Sequence, residues 1–551
     1  MKDQPSLNAY LQQAIVENWD KEALTNLNAQ TYLYRDIARK IVKIKIMFES
    51  GNLHPGDKVA ICGHNSAEWV IAFVAVMYCG CVAVPILNDF TPNTIHHLVN
   101  HSDAKVLFVD ESIWKHLSAD EMHGLIAAVR ISDYELLLSR KEEVDYARRH
   151  LNEEFGKMFP ERFTREDIHF PTLAPTDIVL INYTAGSTGF SKGVMLSERV
   201  LWSNIQFTID GLTFLHPGDG MLCLLPLAHM YGLMVEVLHT LVKGCHIYLL
   251  GKTPSPKILL GAFAVVRPKL IIAVPLIIEK IIKTRVFPKL HKPLMRILTH
   301  LPLIKKKVME KVRQNLMTAF GGNLQEMIIG GAGLAKDVEE FLRGINFPVT
   351  VGYGMTECGP LISYCPHNTQ RQGSCGKVVD RMEAIIDSPD PITLPGVLWV
   401  KGDNVMAGYY KNPEATNSVL KDGWLNTEDI CQMDQDGYIY IRGRDKNMIL
   451  GPSGQNIYPE EIEALLNNYQ MVGESLVRER NGKLEALIVP NYDYAKDNGI
   501  NDNKLLTKEL ERILAETNKA LPSFSQLAGF KIQENEFEKT PKRSIKRYLY
   551  K

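Results

Sequence analysis

The segment YTAGSTGFSKGVMLS, residues 183–197, concentrates the residue types that hold phosphate groups. It follows the apolar run DIVLIN, and glycines, threonines and serines precede Lys192. Glycines let backbone N–H groups approach phosphate oxygens, hydroxyls add donors and a lysine supplies charge, so these residues predict a polyphosphate cradle. The pattern G-x-x-x-x-G-K-[ST] cannot be laid on them. Since the same composition is typical of a turn or flexible hairpin, this segment alone leaves both interpretations open.

The elements that must position this segment follow an alternating pattern. Short β-branched runs such as KVAICG, KVLFVD and KLIIAV alternate with segments of helical length, which predicts an α/β fold with helices packed on a mostly parallel sheet. With 551 residues and 45% hydrophobic composition, the chain is expected to form two or more domains. After residue 430 a hairpin, turns and then the helix EEIEALLNN predict a smaller α+β domain that begins near Asp445.

Charge and cysteine content exclude several classes of protein. A formal net charge of −1 argues against a general nucleic-acid binder, which carries a strong basic excess. The nine cysteines lack paired metal-ligand spacing, which indicates reduced thiols in a cytosol-like compartment. The N-terminus has no apolar core flanked by a cleavage site. We therefore expect a cytoplasmic protein.

Two segments bear on membrane contact. Residues 69–87 carry no charge over a length that could span a bilayer, but Gly80 and the Pro in VAVPIL favour a buried helix followed by a strand. Residues 280–313 hold eleven Lys or Arg and one acidic residue, interleaved with apolar residues at helical spacing. This second segment could lie on the inner face of an anionic membrane. The alternative is a helix whose charged face is solvated and whose apolar face packs on the core.

Further motifs, in a fixed order along nearly the whole chain, support the phosphate interpretation. They are LPLAHMYGL at 225–233, GGAGL at 330–334, GYGMTE at 352–357, GWLNTEDI at 423–430 and GRDKNMI at 443–449. With these motifs and residues 183–197, the chain resembles the adenylate-forming superfamily of acyl-CoA synthetases, luciferases and peptide-synthetase adenylation domains. Because of VPLIIEKIIK at 274–283 and GDNVMAGYYKNPEAT at 402–416, it is most similar to bacterial long-chain fatty acid:CoA ligases.

The resemblance implies a two-domain organisation. A large N-terminal domain of packed α/β layers, residues 1–445, would hold the acyl and ATP sites, and a small mobile α+β domain, residues 446–551, would follow it. The second domain would swing about a hinge at Lys446, and Gly454 would approach the acceptor's arm.

The resemblance also assigns roles to residues. The β- and γ-phosphates of ATP would be held by Thr184, Gly186, Ser187, Thr188, Gly189 and Lys192. The adenine side would involve Gly331, Ala332, Gly352, Tyr353 and Gly354, with the Tyr353 ring against adenine. Thr356 would meet the α-phosphate, Glu357 would ligate Mg²⁺, and His229 would border the acyl carboxylate. Asp429 would accept hydrogen bonds from the ribose hydroxyls, with Arg444 beside it.

One departure from the family pattern concerns the last segment, KTPKRSIKR at 539–547. Family members end in a motif whose second lysine bridges the acyl carboxylate and the α-phosphate, and Ser544 stands at that position here. Either Lys542, Arg543 or Lys546 replaces it after a local shift in register, or adenylation is weakened. Smaller departures are Glu428, in place of a glycine, and Glu198, in place of a frequent histidine.

These observations predict a fatty acid:CoA ligase that uses ATP, Mg²⁺ and coenzyme A. It would convert a medium- to long-chain fatty acid to acyl-AMP and then to acyl-CoA. Two alternatives stay open: loading of a carrier-protein phosphopantetheine, or a degenerate binder without turnover because of Ser544.

Overall fold

The structure is a computed structural model. It describes residues 6–27, 29–184, 192–251, 256–290, 292, 295, 302–450, 456–480, 482–500, 502–522, 525–539 and 545–550. It confirms the predicted fold class, because helices pack on sheets with a parallel centre in the large first part of the chain, and a smaller α+β unit follows.

An eight-stranded sheet carries the phosphate-loop candidate. In spatial order its strands are Gly408–Tyr409, Lys192–Ser197, Ile178–Thr184, Val82–Ile86, Lys58–Cys62, Ala104–Val109, Ala127–Arg130 and Leu136–Ser139. The five strands from Ile178–Thr184 to Ala127–Arg130 run parallel. Lys192–Ser197 and Leu136–Ser139 pair antiparallel with the two ends of this group, and Gly408–Tyr409 pairs antiparallel with Lys192–Ser197. The carboxyl ends of parallel strands meet at one edge of the sheet, where ligands bind in open α/β folds.

The apolar run at 69–87 is core, as the sequence favours. All twelve residues of the helix Ala67–Tyr78 are buried, and the Ser66 hydroxyl accepts a hydrogen bond from the Trp69 N–H at its N-terminus. The next strand, Val82–Ile86, is also buried along its whole length. Among the described residues, no helix combines the length and apolar composition needed to cross a bilayer.

Five smaller sheets are formed by the other strands up to residue 457. A four-stranded sheet contains Gly220–Cys223, His246–Leu249, Glu22–Asn26 and Thr31–Leu33. A parallel sheet contains Leu270–Ala273, Glu326–Ile329 and Val349–Val351, and an antiparallel one contains Tyr353–Gly354, Leu361–Tyr364 and Lys377–Val378. A five-stranded sheet contains Met382–Asp387, Gly396–Gly402, Leu420–Lys421, Trp424–Met433 and Ile439–Arg444. Strands Ile449–Leu450 and Asn456–Ile457 form a two-stranded ribbon.

Helices cover these sheets. The α-helices are Leu7–Glu17, Tyr34–Ser50, Ala67–Tyr78, Pro92–His101, Glu111–Trp114, Glu142–Arg149, Leu151–Met158, Glu198–Gly211, Thr240–Val242, Pro256–Val266, Pro275–Ile281, Phe287–Leu290, Pro302–Ala319, Lys336–Gly344, Pro413–Val419, Pro459–Asn467, Tyr492–Asp497 and Asn503–Ala520. The π-helices are Gly232–His239 and Ile282–Val286. The 3₁₀ turns are Ala119–Glu121, Arg165–Asp167, Thr356–Cys358, Asp445–Asn447 and Arg547–Tyr550.

The last part of the chain has a core of its own. The strands Val472–Arg480, Lys483–Pro490 and Gly529–Ile532 form a sheet, on which the helices Pro459–Asn467 and Asn503–Ala520 pack. This matches the expected small C-terminal domain. The boundary between residues 445 and 446 stays a prediction.

Candidate active site

A β-hairpin presents the phosphate-loop candidate. Thr184 ends one strand, Lys192 begins the next, and the two residues are directly paired in the antiparallel register. The hairpin loop that they close, residues 185–191, lies outside the described residues, and with it Gly186, Ser187, Thr188 and Gly189. The structure therefore places the two ends of the predicted cradle at the edge of the eight-stranded sheet.

Lys192 and Glu357 are linked through one tyrosine. The Lys192 ammonium lies 4.7 Å from the centroid of the Tyr409 ring, and the Tyr409 hydroxyl donates a hydrogen bond of 3.0 Å to Glu357 Oε1. Tyr409 is brought there by the short strand Gly408–Tyr409, which pairs with the strand that begins at Lys192. Burial and the nearby Glu357 carboxylate keep the pKa of the Tyr409 hydroxyl above its ordinary value, so it stays a donor at neutral pH.

Glu357 is suited to hold a magnesium ion together with substrate phosphates. Glu357 is buried in the 3₁₀ turn Thr356–Cys358, and its backbone carbonyl accepts a hydrogen bond of 2.9 Å from the Met406 N–H. In the described part of the chain, Oε1 is bonded to Tyr409 and Oε2 has no hydrogen bond. The described residues contain no group of three His, Cys, Asp or Glu side chains that could enclose a metal. A single carboxylate fits Mg²⁺, which keeps waters and phosphate oxygens as its other ligands.

The ribose-side residues form a second cluster. Asp429 and Arg444 are cross-strand partners in the hairpin of Trp424–Met433 and Ile439–Arg444, and Arg444 Nε lies 3.0 Å from Asp429 Oδ1. The Tyr353 hydroxyl donates to Asp429 Oδ2 at 2.5 Å. Burial raises the pKa of Asp429, and the Arg444 guanidinium opposes that rise. The Tyr353 hydroxyl therefore holds one oxygen of Asp429, a contact that sequence reasoning did not predict.

Lys446 and Glu428 form an ion pair beside this cluster. Lys446 Nζ lies 2.7 Å from Glu428 Oε1, and both side chains are partly exposed. Glu428 has a φ of 59°, in the left-handed region that favours glycine. The glutamate that departs from the family pattern thus contacts the residue predicted to be the hinge.

The predicted adenine-side loop has no room for a side chain at Gly330. It leaves the strand Glu326–Ile329, and a Cβ added at Gly330 would lie 2.9 Å from the ring of Tyr231. Gly331 has a φ of 84°, and the loop's far end is fixed by the Ala335 N–H, which donates to Glu279 Oε1 at 2.8 Å. The Gly352 N–H donates to the Ile329 carbonyl at 2.9 Å. The predicted adenine-side residues Gly331, Ala332, Gly352, Tyr353 and Gly354 therefore lie on two adjoining segments.

His229 is half-buried in the irregular segment that follows the strand Gly220–Cys223. The carbonyl of its neighbour Ala228 accepts a hydrogen bond of 2.8 Å from Asn182 Nδ2. Asn182 lies in the strand that ends at Thr184. This contact ties the His229 segment to the phosphate-loop hairpin.

Comparison with known proteins identifies this arrangement. A family model described as AMP-binding enzyme matches residues 11–410, which is most of the chain. The chain belongs to the AMP-binding enzyme family.

Relatives within this family include ligases for different acids. The chain is 28% identical over 480 residues to "4-coumarate--CoA ligase 2" of Solanum tuberosum, covering 82% of this chain and 77% of that protein. It is 27% identical over 495 residues to "Long-chain-fatty-acid--CoA ligase" of Escherichia coli O6:H1, covering 85% and 82%.

Solved structures agree with the fold over both domains. The anthranilate CoA ligase AuaEII in complex with anthranoyl-AMP has a TM-score of 0.78 at 18% identity, covering 99% of this chain and 96% of that one. ATP-bound MatB from Rhodopseudomonas palustris has a TM-score of 0.75 at 21% identity, covering 99% and 98%.

The described cations of the C-terminal tail of this AMP-binding enzyme face its own small domain. Lys546 Nζ lies 3.4 Å from Glu538 Oε2, and Lys539 Nζ lies 2.5 Å from Glu474 Oε1. The Arg547 guanidinium pairs with Glu463. Lys542, Arg543 and Ser544 lie outside the described residues. Lys546, predicted to be catalytic, is therefore engaged in an ion pair within the tail.

Sequence reasoning missed Tyr409 as a member of the site. It lies in GYYKNPEAT, a segment that supports the family resemblance without showing a role for either tyrosine. A lone tyrosine beside another has no spacing that predicts chemistry, so its place became visible only from its contacts with Lys192 and Glu357.

Proposed function

We propose that the protein is an AMP-forming acid–thiol ligase that converts a medium- to long-chain fatty acid to its coenzyme A thioester. The observation that carries the proposal is the linkage of Lys192, Tyr409 and Glu357 at the phosphate-loop hairpin, beside the pair of Asp429 and Arg444. ATP-dependent activation of a carboxylate requires a cation, a carboxylate that can hold magnesium and a carboxylate that can bind the ribose.

In the first step, a carboxylate oxygen of the acid attacks the α-phosphorus of ATP, and the bond from that phosphorus to the β-phosphate oxygen breaks. The products are the acyl-adenylate and pyrophosphate. Negative charge develops on the phosphate oxygens, and Lys192 is placed to stabilise it. Bound Mg²⁺ would neutralise further phosphate charge, with Glu357 as its protein ligand.

In the second step, the sulfur of coenzyme A attacks the acyl carbonyl carbon. The carbon–oxygen bond to AMP breaks, the thiol proton leaves the sulfur, and the products are acyl-CoA and AMP. The Lys446 hinge and Gly454 belong to this step in the proposed mechanism, since the small domain would then present another face to the site.

The proposed acid is a fatty acid, although named relatives act on both fatty and aromatic acids. ATP–pyrophosphate exchange measured with fatty acids of several lengths, 4-coumarate and anthranilate tests this choice. We expect exchange to be strongest with a medium- or long-chain fatty acid. Strong exchange only with aromatic acids would contradict the fatty acid substrate and leave the ligase class intact.

The acceptor is tested by a separate assay. With ATP at saturation, we expect the acyl group to appear on coenzyme A. Acyl transfer only to a carrier-protein phosphopantetheine would replace coenzyme A as the acceptor, and absence of exchange with every acid would favour a degenerate binder.

The cation that replaces the lysine missing at Ser544 is proposed to be Lys542, Arg543 or Lys546, and the two lysines are tested first. Lys542→Ala and Lys546→Ala, measured by the same exchange, are expected to differ, with the larger loss at the residue that reaches the site. Ser544→Lys is expected to raise the exchange rate. No change in any of the three variants would show that neither Lys542 nor Lys546 serves adenylation.

A peripheral membrane contact through residues 280–313 is a second proposal. Exposed Lys280, Arg285 and Lys289 lie in or beside the helical segment that follows Pro275, whose Leu276 is 53% exposed. Cations next to an exposed apolar side chain favour an anionic lipid surface. Co-sedimentation with phosphatidylglycerol vesicles should exceed that with phosphatidylcholine vesicles and should fall in the K280E/R285E/K289E variant. The matched variant K504E/K508E/K519E changes exposed lysines of the small domain and should bind as the wild type does.

A further inference from the structure

Side chains, rather than neighbouring strands, hold the backbone of the segment Leu224–His229. Asn65 spans its middle, since Nδ2 donates to the Leu225 carbonyl at 2.7 Å and Oδ1 accepts from the Leu227 N–H at 3.0 Å. Asn182 holds the Ala228 carbonyl at 2.8 Å. The segment that carries His229 is therefore fixed from outside by polar groups of the surrounding core.

Glu236 holds the start of the same segment. Its Oε1 accepts from the Leu224 N–H at 2.9 Å, and its Oε2 accepts from the Leu225 N–H at 3.1 Å and from Cys223 Sγ at 3.1 Å. One carboxyl thus binds two successive backbone N–H groups and fixes the direction in which the chain leaves its strand.

The surroundings of Glu236 are fully closed. The residue is 0% exposed, and the described part of the chain supplies no cation within salt-bridge distance of it. It lies in the π-helix Gly232–His239, where a Cβ added at Gly232 would come within 2.9 Å of Leu225 Cβ and 3.3 Å of Glu236 Oε2. The π-helix therefore packs directly on the segment that its glutamate binds.

A buried carboxyl without a cation is costly, and an apolar residue there would avoid that cost. π-helical turns are rare and are frequently found at functional sites. A helix that served only the fold would need neither a buried carboxyl without a cation nor a π-helical turn. Here both features lie next to the segment that carries His229.

We propose that Glu236 is a positioning residue for acid activation, which holds Leu224–His229 so that His229 borders the carboxylate of the substrate acid. This inference rests on the proposed function, because it assigns His229 to that carboxylate. Glu236 itself does not touch substrate, and acts through the two N–H groups that it accepts.

Glu236→Gln tests the inference at constant side-chain size. The amide keeps one acceptor oxygen, but its NH₂ group faces a backbone N–H, so the segment must shift. A displacement of about 1 Å in a positioned group can cost about a hundredfold in rate. We expect kcat/KM for the acid in ATP–pyrophosphate exchange to fall about tenfold or more, and Kd for ATP to stay within about twofold, because the phosphate and ribose contacts lie on other segments.

Glu339→Gln is the matched control. Glu339 is also a buried glutamate that accepts from a backbone N–H, that of Gly373, with its two oxygens at 3.0 and 3.1 Å. A general loss of stability from replacing a buried carboxyl would affect both variants, whereas loss specific to the acid should appear only in Glu236→Gln.

Asn65→Asp keeps the inference testable if Glu236→Gln does not fold. It removes the donor to the Leu225 carbonyl and should produce the same selective loss toward the acid. Folded variants whose acid and ATP parameters both match the wild type would overturn the inference, as would losses for acid and ATP in equal proportion. A wild-type enzyme without exchange on any acid would instead overturn the proposed function.

Discussion

Tyr409 connects the charged residues of the phosphate side of the site. Its ring lies under the Lys192 ammonium and its hydroxyl binds Glu357. An aromatic face attracts a cation, and a hydrogen bond to a charged group is stronger than one between neutral groups. One side chain therefore contacts both the cation and the carboxylate that are proposed to face the phosphates.

The Tyr409→Phe variant separates these two contacts. The ring under Lys192 stays, but Glu357 loses its hydrogen bond, which is worth about 1.5–3 kcal/mol to a charged acceptor. We predict that the rate of ATP–pyrophosphate exchange falls about tenfold or more.

Tyr410→Phe is the control for this prediction. Its hydroxyl donates to Asp103 Oδ2 at 2.7 Å, away from Glu357, so the neighbouring tyrosine loses a comparable bond. Exchange should stay near the wild-type rate in this variant. Equal rates for Tyr409→Phe and the wild type would show that the Glu357 contact has no part in adenylation.

At the scale of elements, the π-helix Gly232–His239 holds two buried titratable groups with opposite pKa changes. Burial raises the pKa of Glu236 to about 8 and lowers the pKa of His239 to about 3. Both ring nitrogens of His239 are buried, and neither has a hydrogen-bond partner among the residues that the structure describes. The helix therefore favours a neutral imidazole, whose protonation must disrupt its packing.

This depressed pKa predicts a loss of stability in acid. A histidine that stays neutral in the fold but titrates near 6.5 when unfolded contributes stability that is fully present above pH 6.5 and is lost as the pH falls toward 3. At pH 5 the loss amounts to about 2 kcal/mol.

Urea unfolding at pH 5 and pH 7.5 measures that loss. In His239→Leu, the difference between the free energies of unfolding at the two pH values should shrink by about 2 kcal/mol. The same pH dependence in His239→Leu and the wild type would contradict the prediction.

The sequence predicted the elements well where a pattern is local. The apolar run at 69–87 was separated correctly into a helix and a strand, because Gly80 interrupts it and strand residues follow. The sequence predicts a hairpin after residue 430, whereas the strand Ile439–Arg444 pairs with Trp424–Met433, which begins before that point.

Contacts between distant segments could not be predicted. Nothing near Tyr353 in the sequence indicates that its hydroxyl meets Asp429, 76 positions away. Glu236 looks like an ordinary helix residue, and only the packing of the π-helix on Leu224–His229 shows which N–H groups it binds. Long-range partners depend on packing, which the sequence of one segment does not contain.

At the scale of the whole molecule, described residues on both sides of residue 446 make polar contacts between the predicted large and small domains. Lys446 pairs with Glu428 at 2.7 Å, and Arg442 Nη1 lies 3.9 Å from Glu461 Oε1. Lys283 Nζ donates to the Asn467 carbonyl at 3.3 Å. Since the first of these is partly exposed, it biases the orientation of the small domain without locking it.

Glu428→Gln should change the balance between the two chemical steps. Loss of a partly exposed ion pair is worth about 0.2–1 kcal/mol, or about 1.4- to 5-fold. In single-turnover rapid-quench experiments, the ratio of the acyl-adenylate rate to the thioester rate should shift by that factor. Glu516→Gln breaks an exposed pair with Arg512 and should leave the ratio unchanged. An unaltered ratio in Glu428→Gln would show that this ion pair does not bias the domains.

The most direct test of the proposed chemistry is ATP–pyrophosphate exchange by the wild-type protein and by Lys192→Ala, with fatty acids as substrates. We predict acid-dependent exchange well above background in the wild type and a loss of about a hundredfold or more in the variant, since Lys192 is proposed to stabilise charge that develops in the transition state. Exchange that is absent from the wild type, or equal in the two proteins, would contradict the assignment of an acid-activating site to this hairpin.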